Sequence, residues 1–449
     1  MEKPAAGLSR AGFTLWDIFN EKTSVTSITY ENNQVDKVIS GIDSGTGVRG
    51  MKDFRTYYGF TNSPEKLEET AASVAGGAFS GAESFEFSAV EPRFINKIEI
   101  MPGTVSVPEK IKLLENINET VRSAGPAIKQ VNVTYAEKVQ DIEIMSDLAR
   151  FVKEQRVYTS FIIHVIAEKG GRVETAYGVY SAYAGFELIK KEDIVKKARE
   201  TAESAMRLLS ADKRITGEMT AVISSEAGGT LIHEAVGHSL EADIVQKGMS
   251  EYGGKKGRKV ASELVTVIDD TPIPNKRGSF SFDDEGIFSQ KTVLVEKGML
   301  KNFMYDRETA IKEGVESTGN GRRENYRYRP IPRMTNTMIA PGQGSPADLI
   351  KDTKKGIYIE KMGGGQVNTV TGEFIFEVKK GTMIENGKLT YPLRDATLMG
   401  RGPDVLNSID AVCGDLGFEV GTCGKDGQGV PVSDAQPTLR IPRILIGSK

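Results

Sequence analysis

Long segments in which apolar and polar residues alternate limit the fold of this chain more than any other sequence feature. Alternation runs through residues 23–60, 129–147, 158–169 and 172–183, and it returns in short segments after residue 216. A period of two residues is typical of strands that bury one face. We therefore expect a chain that is rich in antiparallel sheet.

Turn residues divide these segments into strands. Asn32-Asn33, the stretch from Gly41 to Gly47, and Lys52-Asp53 predict a meander within residues 23–60, and Gly170-Gly171 predicts a tight hairpin. The first half of the chain should thus contain consecutive strands joined by short turns.

Three segments of the first half have helical patterns instead. Helices are predicted at about residues 64–75, ending at Gly76-Gly77, at about 108–123, and at 192–211, where apolar residues recur at spacings of three and four. Residues 1–212 are therefore predicted to form an N-terminal α+β domain in which helices pack on antiparallel strands.

Glycine-rich loops and closely spaced short strands dominate residues 213–449. This pattern indicates a mainly antiparallel, barrel- or sandwich-like domain. The predicted fold class of the whole chain is α+β, with a domain boundary near residues 210–216.

Charge and cysteine content exclude several classes of protein. With 58 basic and 61 acidic residues the net charge is −3, and no basic run predicts contact with nucleic acid or an anionic membrane. Neither an apolar leader nor an 18-residue apolar run occurs, so we expect a cytoplasmic protein. Two cysteines cannot form a disulfide framework, and each is expected to be a small core residue or a ligand.

The sequence HEAVGH at residues 233–238 contains two of the three histidines of the chain. On a regular helix His233 and His238 would lie about 140° apart, too far to bind one ion. A single π-type turn brings them to about 50°, and Gly237 makes that distortion easier. The spacing therefore predicts a divalent metal site on a locally widened helix.

That helix is predicted to begin after an N-cap at Thr230 and to end at about Lys247, before Gly248. Its buried face should consist of three apolar residues at spacings of four: Ile232, Val236 and Leu240.

Two imidazoles suit Zn²⁺, and Glu234 is placed to take a proton from the water that the metal activates. The alternative interpretation is a pair of helix histidines with structural hydrogen bonds. A catalytic zinc site also needs a third protein ligand.

Several residues are candidates for the third ligand. Cys423 lies in a glycine-rich loop, GTCGKDGQG, and is favoured over Cys413, which is interpreted as a small packed residue. The carboxylates Glu241, Asp243 and Asp283-Asp284-Glu285 are further candidates, or else solvated surface residues. The remaining histidine, His164 in FIIHVIA, is interpreted as a half-buried strand residue.

Five motifs resemble the TldD/PmbA family of zinc metallopeptidases and follow one another in the order expected for that family. The chain is more similar to the active subunit of the family, because the partner subunit lacks the histidine motif. The five motifs are GTGVRG (45–50), HEAVGHSLEAD (233–243), RMTNT (333–337), GGGQVNTVTGEFIFEV (363–378) and CGKDGQGVPVSDAQPTLRI (423–441).

The resemblance implies that His233, His238 and Cys423 hold one Zn²⁺ per chain and that Glu234 is the catalytic base; it gives Cys413 no role. It also implies a peptidase for extended, unfolded or flexible peptides and small labile proteins. Such a peptidase would work inside a dimer, formed with a paralogous subunit that lacks the histidine motif or with itself.

Two other functions remain open at this point. One is a non-catalytic regulatory or adaptor protein, which an association of the family with DNA gyrase suggests, and the other is a metal-dependent amidase for small molecules. Three further residue groups are predicted to approach substrate, or else to be ordinary loop and surface residues: Gly363-Gly364-Gly365, Arg333 and Asn336.

Overall fold

The computed structural model describes residues 1–77, 85–211, 213–368 and 370–448. Residue 212, at the predicted domain boundary, and Thr369, within the motif GGGQVNTVTGEFIFEV, lie outside the described residues. The fold is α+β, as the sequence predicts, and strands predominate.

The first half of the chain is built on a seven-stranded sheet in the order β3-β2-β1-β5-β6, with β7 and the short β4 both paired to β6. Its elements are α1 (Glu2–Arg10), β1 (Leu15–Glu31), β2 (Gln34–Lys52), β3 (Arg55–Thr61), α2 (Leu67–Ala75), β4 (Ser88–Ala89), α3 (Val107–Ser123), β5 (Ile128–Ser146), β6 (Arg150–Lys169), β7 (Arg172–Tyr183), α4 (Leu188–Lys191) and α5 (Ile194–Leu209).

The three predicted helices of this half are present. A 3₁₀ turn at Pro64–Lys66 leads into α2, which ends at Gly76 in the left-handed conformation. Helix α3 begins with a capping box between Ser106 and Glu109. Helix α5 begins at Ile194 rather than at residue 192, because Asp193 provides its N-cap. Helices α3 and α5 cover one face of the sheet with a common apolar core.

Two of the predicted turns within residues 23–60 are confirmed and one is wrong. Asn32-Asn33 and Asp53-Phe54 adopt positive φ angles between paired strands. The stretch from Gly41 to Gly47 instead continues strand β2, paired to β1 throughout. Gly45 is needed for close packing and not for a turn, because a Cβ there would lie 2.2 Å from the ring of Tyr326.

The second half contains these elements: β8 (Gly217–Ile223), α6 (Thr230–Ile232), α7 (Ala242–Gln246), β9 (Val267–Asp270), β10 (Lys291–Glu296), β11 (Met299–Leu300), α8 (Arg307–Glu313), β12 (Gly321–Arg322), β13 (Ile331–Pro332), β14 (Asn336–Ile339), α9 (Pro346–Asp352), β15 (Lys355–Val367), β16 (Glu373–Glu385), β17 (Lys388–Leu393), β18 (Ala396–Arg401), α10 (Gly402–Ser408), β19 (Ala411–Val412), β20 (Gly417–Lys425), β21 (Gln428–Gln436) and β22 (Leu439–Ser448).

These strands form a barrel and an open sheet. Strands β15, β8, β22, β18 and β16 pair in that order, and β16 pairs again with β15, which closes the ring. The open sheet has the order β11-β10-β9-β14-β21-β20, so β20 lies at its edge. The predicted barrel-like character of the second half is confirmed, although β8–β15 and β14–β21 are parallel pairs.

The two halves meet across the face of the first sheet that α3 and α5 leave uncovered. Buried ion pairs cross this contact: Arg49 binds Glu285 at 2.5 Å and Arg156 binds Asp284 at 2.7 Å. The acidic run Asp283-Asp284-Glu285 is therefore neither a metal site nor a solvated surface. Among the described helices, none is long and apolar enough to cross a membrane.

Candidate metal centre

The histidine motif lies on a short, irregular helical segment. Helix α6 passes at His233 into a π-helical turn that extends to Gly237, and a 3₁₀ turn follows from His238 to Leu240. The predicted π-type turn is thus confirmed. The predicted continuous helix to Lys247 is wrong, because Glu241 adopts an extended conformation before α7 begins.

Packing explains why the segment lies here. Ile232, Val236 and Leu240 are fully buried, as predicted, in the core that joins the barrel to the open sheet. Gly237 has an ordinary helical φ of −56°. A Cβ at Gly237 would lie 2.1 Å from the sulfur of Met334, so this glycine permits close packing rather than an unusual backbone angle.

The start of the segment approaches strands β20 and β21 closely. Gly229, and not Thr230, is the N-cap residue, and it makes no side-chain cap. A Cβ on Gly229 would lie 2.3 Å from the backbone nitrogen of Ala435. The absence of a side chain there lets the helical segment reach β21, which brings His233 next to Asp434.

His233, His238 and Cys423 form one cluster, in which one ligand atom from each lies within 4.8 Å of the others. The imidazole rings are nearly perpendicular, with centroids 5.0 Å apart, and the Cys423 sulfur lies 3.5 Å from Nε2 of His238. Two imidazoles and a thiolate at such separations fit the donor set of a catalytic zinc site. The structure therefore brings together the three residues that the sequence proposes as ligands.

A carboxylate lies behind each imidazole. Nδ1 of His233 lies 2.7 Å from Asp434, and Nδ1 of His238 lies 3.1 Å from Glu241. These contacts favour the tautomer with a protonated Nδ1, which leaves Nε2 as the ligand atom. The same oxygen of Glu241, Oε2, accepts from Lys425 at 3.0 Å, so Lys425 holds the carboxylate that orients His238.

The charges around the two imidazoles favour a cation. Burial opposes protonation of His233, but Asp434 and Cys423 outweigh it and raise the pKa of His233. Burial also opposes protonation of His238, where Glu241 and Cys423 raise the pKa to about 10. Burial would raise the pKa of the Cys423 thiol, yet the two imidazoles lower it to about 6. Without metal the centre holds protons among anionic groups, and a divalent cation can replace them.

Glu234 differs from the other carboxylates of the centre. Its side chain is half-buried, and it has no hydrogen-bond or ion-pair partner within the ranges that the structure describes. A carboxylate next to a ligand and without a partner is free to accept a proton.

The other predicted candidates lie outside the cluster. Cys413 is buried against Val222 and Leu349, which confirms the interpretation as a packed residue. His164 lies on β6 as expected, but it is exposed and stacks on Tyr177 rather than being half-buried. Asp243 binds Lys425 at 2.6 Å.

Arg333 and Asn336 are fully buried and neither line a channel nor lie on the surface. Arg333 donates a hydrogen bond to the carbonyl oxygen of Cys423 and so fixes the strand that carries the thiol. Asn336 donates to the carbonyl oxygens of Asp270 and Thr271. The glycines 363–365 lie within β15, where the pairing with β16 is irregular.

The histidine motif does not predict three residues of the centre: Asp434, Lys425, and Glu241 in its role behind His238. Asp434 and Lys425 both lie in the stretch CGKDGQGVPVSDAQPTLRI, in which the sequence singles out only Cys423. That stretch was the available signal.

Asp434→Asn is expected to weaken metal binding by about 10–100-fold. A neutral amide would replace the carboxylate that stabilises His233 with a protonated Nδ1, the tautomer that leaves Nε2 for the metal. Competition titration with a chromophoric zinc chelator measures the effect. Asp415→Asn is the matched control, since Asp415 binds Thr438 and not a histidine. Equal metal affinity in both variants would contradict the role given to Asp434.

Comparison with known proteins finds similarity over nearly the whole length of the chain. Three family models match, described as PmbA/TldA metallopeptidase domain 1 at residues 16–78, the central domain at 101–209 and the C-terminal domain at 216–448. The division into two domains at residues 212 and 213 stays a prediction.

Relatives from bacteria and archaea carry related names. The chain is 34% identical to the Metalloprotease TldD homolog of Haemophilus influenzae, over 96% of this chain and 92% of that protein. It is 35% identical to the homolog of Buchnera aphidicola subsp. Acyrthosiphon pisum, over 90% and 86%. The Zinc metalloprotease TldD homolog of Saccharolobus solfataricus is 26% identical, over 97% of each.

Solved structures share the fold. A Thermotoga maritima protein described as a candidate modulator of a DNA gyrase superposes with a TM-score of 0.81 at 25% identity, covering 99% of this chain and 98% of that chain. TldE from Thermococcus kodakarensis superposes with a TM-score of 0.75 at 19% identity, covering 98% of each.

Proposed function

This chain belongs to the TldD/PmbA metallopeptidase family, and on that premise we propose that it is a zinc-dependent peptidase for unfolded or flexible peptides and small labile proteins. The family establishes a metal-dependent peptidase in general. The residues, the metal and the substrate class are the proposal.

One observation carries this proposal: His233, His238 and Cys423 converge within 4.8 Å. His233 begins the π-helical turn, His238 directly follows it, and Cys423 lies on the edge strand of a sheet. A carboxylate lies behind each imidazole. A structural histidine pair would not need a thiol at this position or two such carboxylates.

The protein residues have distinct tasks in the proposed reaction. His233, His238 and Cys423 would hold the ion, which when bound lowers the pKa of water and polarises the scissile carbonyl. Glu234 accepts the proton of the attacking water and passes it to the leaving amine. Asp434 and Glu241 keep both imidazoles oriented.

The substrate, the location and the partner of the protein are proposed from the family and from the ligand chemistry. The substrate is an extended peptide, and the protein is a cytoplasmic dimer, formed with a paralogous subunit that lacks the histidine motif or with itself. TldE from Thermococcus kodakarensis has the same fold as this chain, which supports a paralogous partner subunit of that fold. The near-neutral charge of the chain supports neither nucleic acid nor membrane as a partner.

Metal removal tests this function. Purified protein should contain about one zinc ion per chain, and a chelator should lower hydrolysis of a fluorescence-quenched unstructured peptide at least ~100-fold, with recovery on adding Zn²⁺. His238→Ala should lose most of the zinc, whereas His164→Ala, which changes an exposed histidine outside the cluster, should keep it.

Other outcomes separate the rival functions. Hydrolysis that is insensitive to chelation would contradict a metal-dependent peptidase. Hydrolysis of small amides without hydrolysis of peptides would favour the amidase. No hydrolysis of either by zinc-loaded protein would favour the adaptor.

A further inference from the structure

A cavity of about 680 Å³ is lined in part by the strand that carries Cys423. Strand β7 and helix α5 form one wall, and strand β20 with its neighbours forms the other; Tyr177, Thr201, Phe418 and Ser433 are among the lining residues. None of the steps proposed above uses this cavity.

The cavity is connected to the metal centre through β20 and β21. Ser433 lines the cavity and directly precedes Asp434, which contacts His233. Glu419 also lines it and accepts a hydrogen bond from Thr230 at 3.3 Å. Glu419 lies four positions before Cys423 on β20, a distance of about 13 Å at 3.3 Å per residue. An extended peptide of about four residues spans this distance.

Three basic side chains in the cavity wall form no ion pair with a carboxylate among the described residues. Lys276 lies over the ring of Phe418, 3.8 Å from its centre. Nη1 of Arg277 donates to the carbonyl oxygen of Gly421 at 2.8 Å, while its buried Nε has no partner among those residues. Lys361 donates to the carbonyl oxygen of Tyr177 at 3.2 Å.

The other basic residues of the wall are neutralised by carboxylates. Their ion pairs are Lys191–Glu99, Lys197–Glu192, Lys379–Glu377 and Lys380–Glu360. Two carboxyl groups of the wall, Glu226 and Glu419, have no basic group within ion-pair distance in the described structure. Burial raises the pKa of Glu419 to about 7, so this group is only partly charged at neutral pH. The cavity therefore has an excess of positive charge.

That excess is energetically unfavourable without an anion. Burial lowers the pKa of the amines of Lys276 and Lys361 and of the Arg277 guanidinium. Glu192 acts in the opposite direction on Lys276, and Glu419 does so on Lys361, but burial outweighs both. A buried cation without an ion-pair partner lacks a counter-charge that fully offsets its desolvation. An anionic ligand that enters the cavity would supply it.

We propose that this cavity binds a carboxylate of the substrate peptide through Lys276, Arg277 and Lys361. Carboxylates are the anionic groups that a peptide itself carries, either on Asp and Glu side chains or at its C-terminus. The inference rests on the proposed peptidase function and adds a substrate preference to it: peptides with a carboxylate a few residues from the scissile bond bind best.

Binding of matched peptides tests the preference without hydrolysis. Zinc-loaded Glu234→Gln protein is titrated with fluorescent peptides that differ only in one group: Glu or Gln at a single position, and a C-terminal acid or amide. We expect Kd to be about 10-fold lower for the peptide with the carboxylate that fits, as for a partly desolvated ion pair. The Glu/Gln pair and the acid/amide pair show which carboxylate it is.

Substitutions in the same protein background show where the preference arises. Lys276→Met and Lys361→Met keep the aliphatic stem, and each should reduce the 10-fold preference to about 2-fold or less. Lys361→Arg should retain it, and so should Lys301→Met, which changes an exposed lysine paired with Glu296. Arg277 is left unchanged because it also supports β20.

Two results would overturn the proposal. One is equal Kd for all peptides in the parent protein. The other is a loss of affinity in the methionine variants that is the same for carboxylate and neutral peptides, which would show a purely structural role of the lysines. Failure of the peptidase function would appear separately, as chelator-insensitive hydrolysis, because the binding measurement requires no turnover.

Discussion

Glu234→Gln is expected to lower peptide hydrolysis at least ~100-fold while zinc content stays at the parent level. Glutamine keeps the size of the side chain but cannot accept the proton of the attacking water. Glu234 neighbours His233, a proposed ligand, and has no partner among the described residues. The substitution therefore removes a base without breaking a contact of the fold.

The measurement pairs turnover with elemental analysis of the same preparation. Glu263→Gln serves as the control, because Glu263 is exposed and pairs only with Lys259; both activity and zinc should be unchanged. If Glu234→Gln turned over peptide as fast as the parent, another group would have to activate the water. A parallel loss of zinc would mean that Glu234 supports the ligands instead.

The local geometry of the metal centre could be predicted because it follows from spacing. Histidines five apart can share one ion only across a widened turn, and the structure has a π-helical turn from His233 to Gly237. The end of that segment could not be predicted in the same way. Leu240 continues the apolar pattern, but at Glu241 the helix ends and the backbone pairs with Met304, a residue distant in sequence.

Residues distant in sequence were beyond the reach of pattern analysis. Asp434 contacts His233 across 201 residues, and no periodicity connects them. For the acidic run 283–285, interpreted as candidate ligands or as solvated surface, the basic partners Arg49 and Arg156 lie in the other half of the chain. The contact of Asp434 depends on how β21 packs against the histidine segment within the second half, and the ion pairs of the acidic run depend on how the two halves pack. Neither arrangement follows from a local sequence pattern.

The turn predicted at residues 41–47 is wrong, because residues distant in sequence determine the structure of this stretch. Glycines and polar residues are typical of turns, yet here the strand continues, because β1 pairs with β2 through the whole of residues 41–47. Gly45 is required by the ring of Tyr326, a residue of the second half. A glycine that permits close packing and a glycine that permits a turn look alike in sequence.

Cys423→Ser is expected to lose most of the zinc and at least ~100-fold of the activity, whereas Cys413→Ser should keep both near the parent level. Thiolate is a far better zinc ligand than a serine hydroxyl. Cys423 lies 3.5 Å from the Nε2 of His238. Cys413 is packed among apolar side chains, and burial raises the pKa of its thiol.

Alkylation gives a second readout that does not depend on activity. A thiolate that binds a metal is protected from iodoacetamide, and chelation should therefore increase labelling of Cys423 selectively, since the two imidazoles keep its pKa low in the metal-free centre. Peptide mapping by mass spectrometry, with and without chelator, measures labelling at each cysteine. Zinc loss in Cys413→Ser but not in Cys423→Ser would reverse the assignment. If neither variant lost zinc, a carboxylate would have to be the ligand, and Glu241 or Asp243 would then have to leave Lys425, which binds both of them.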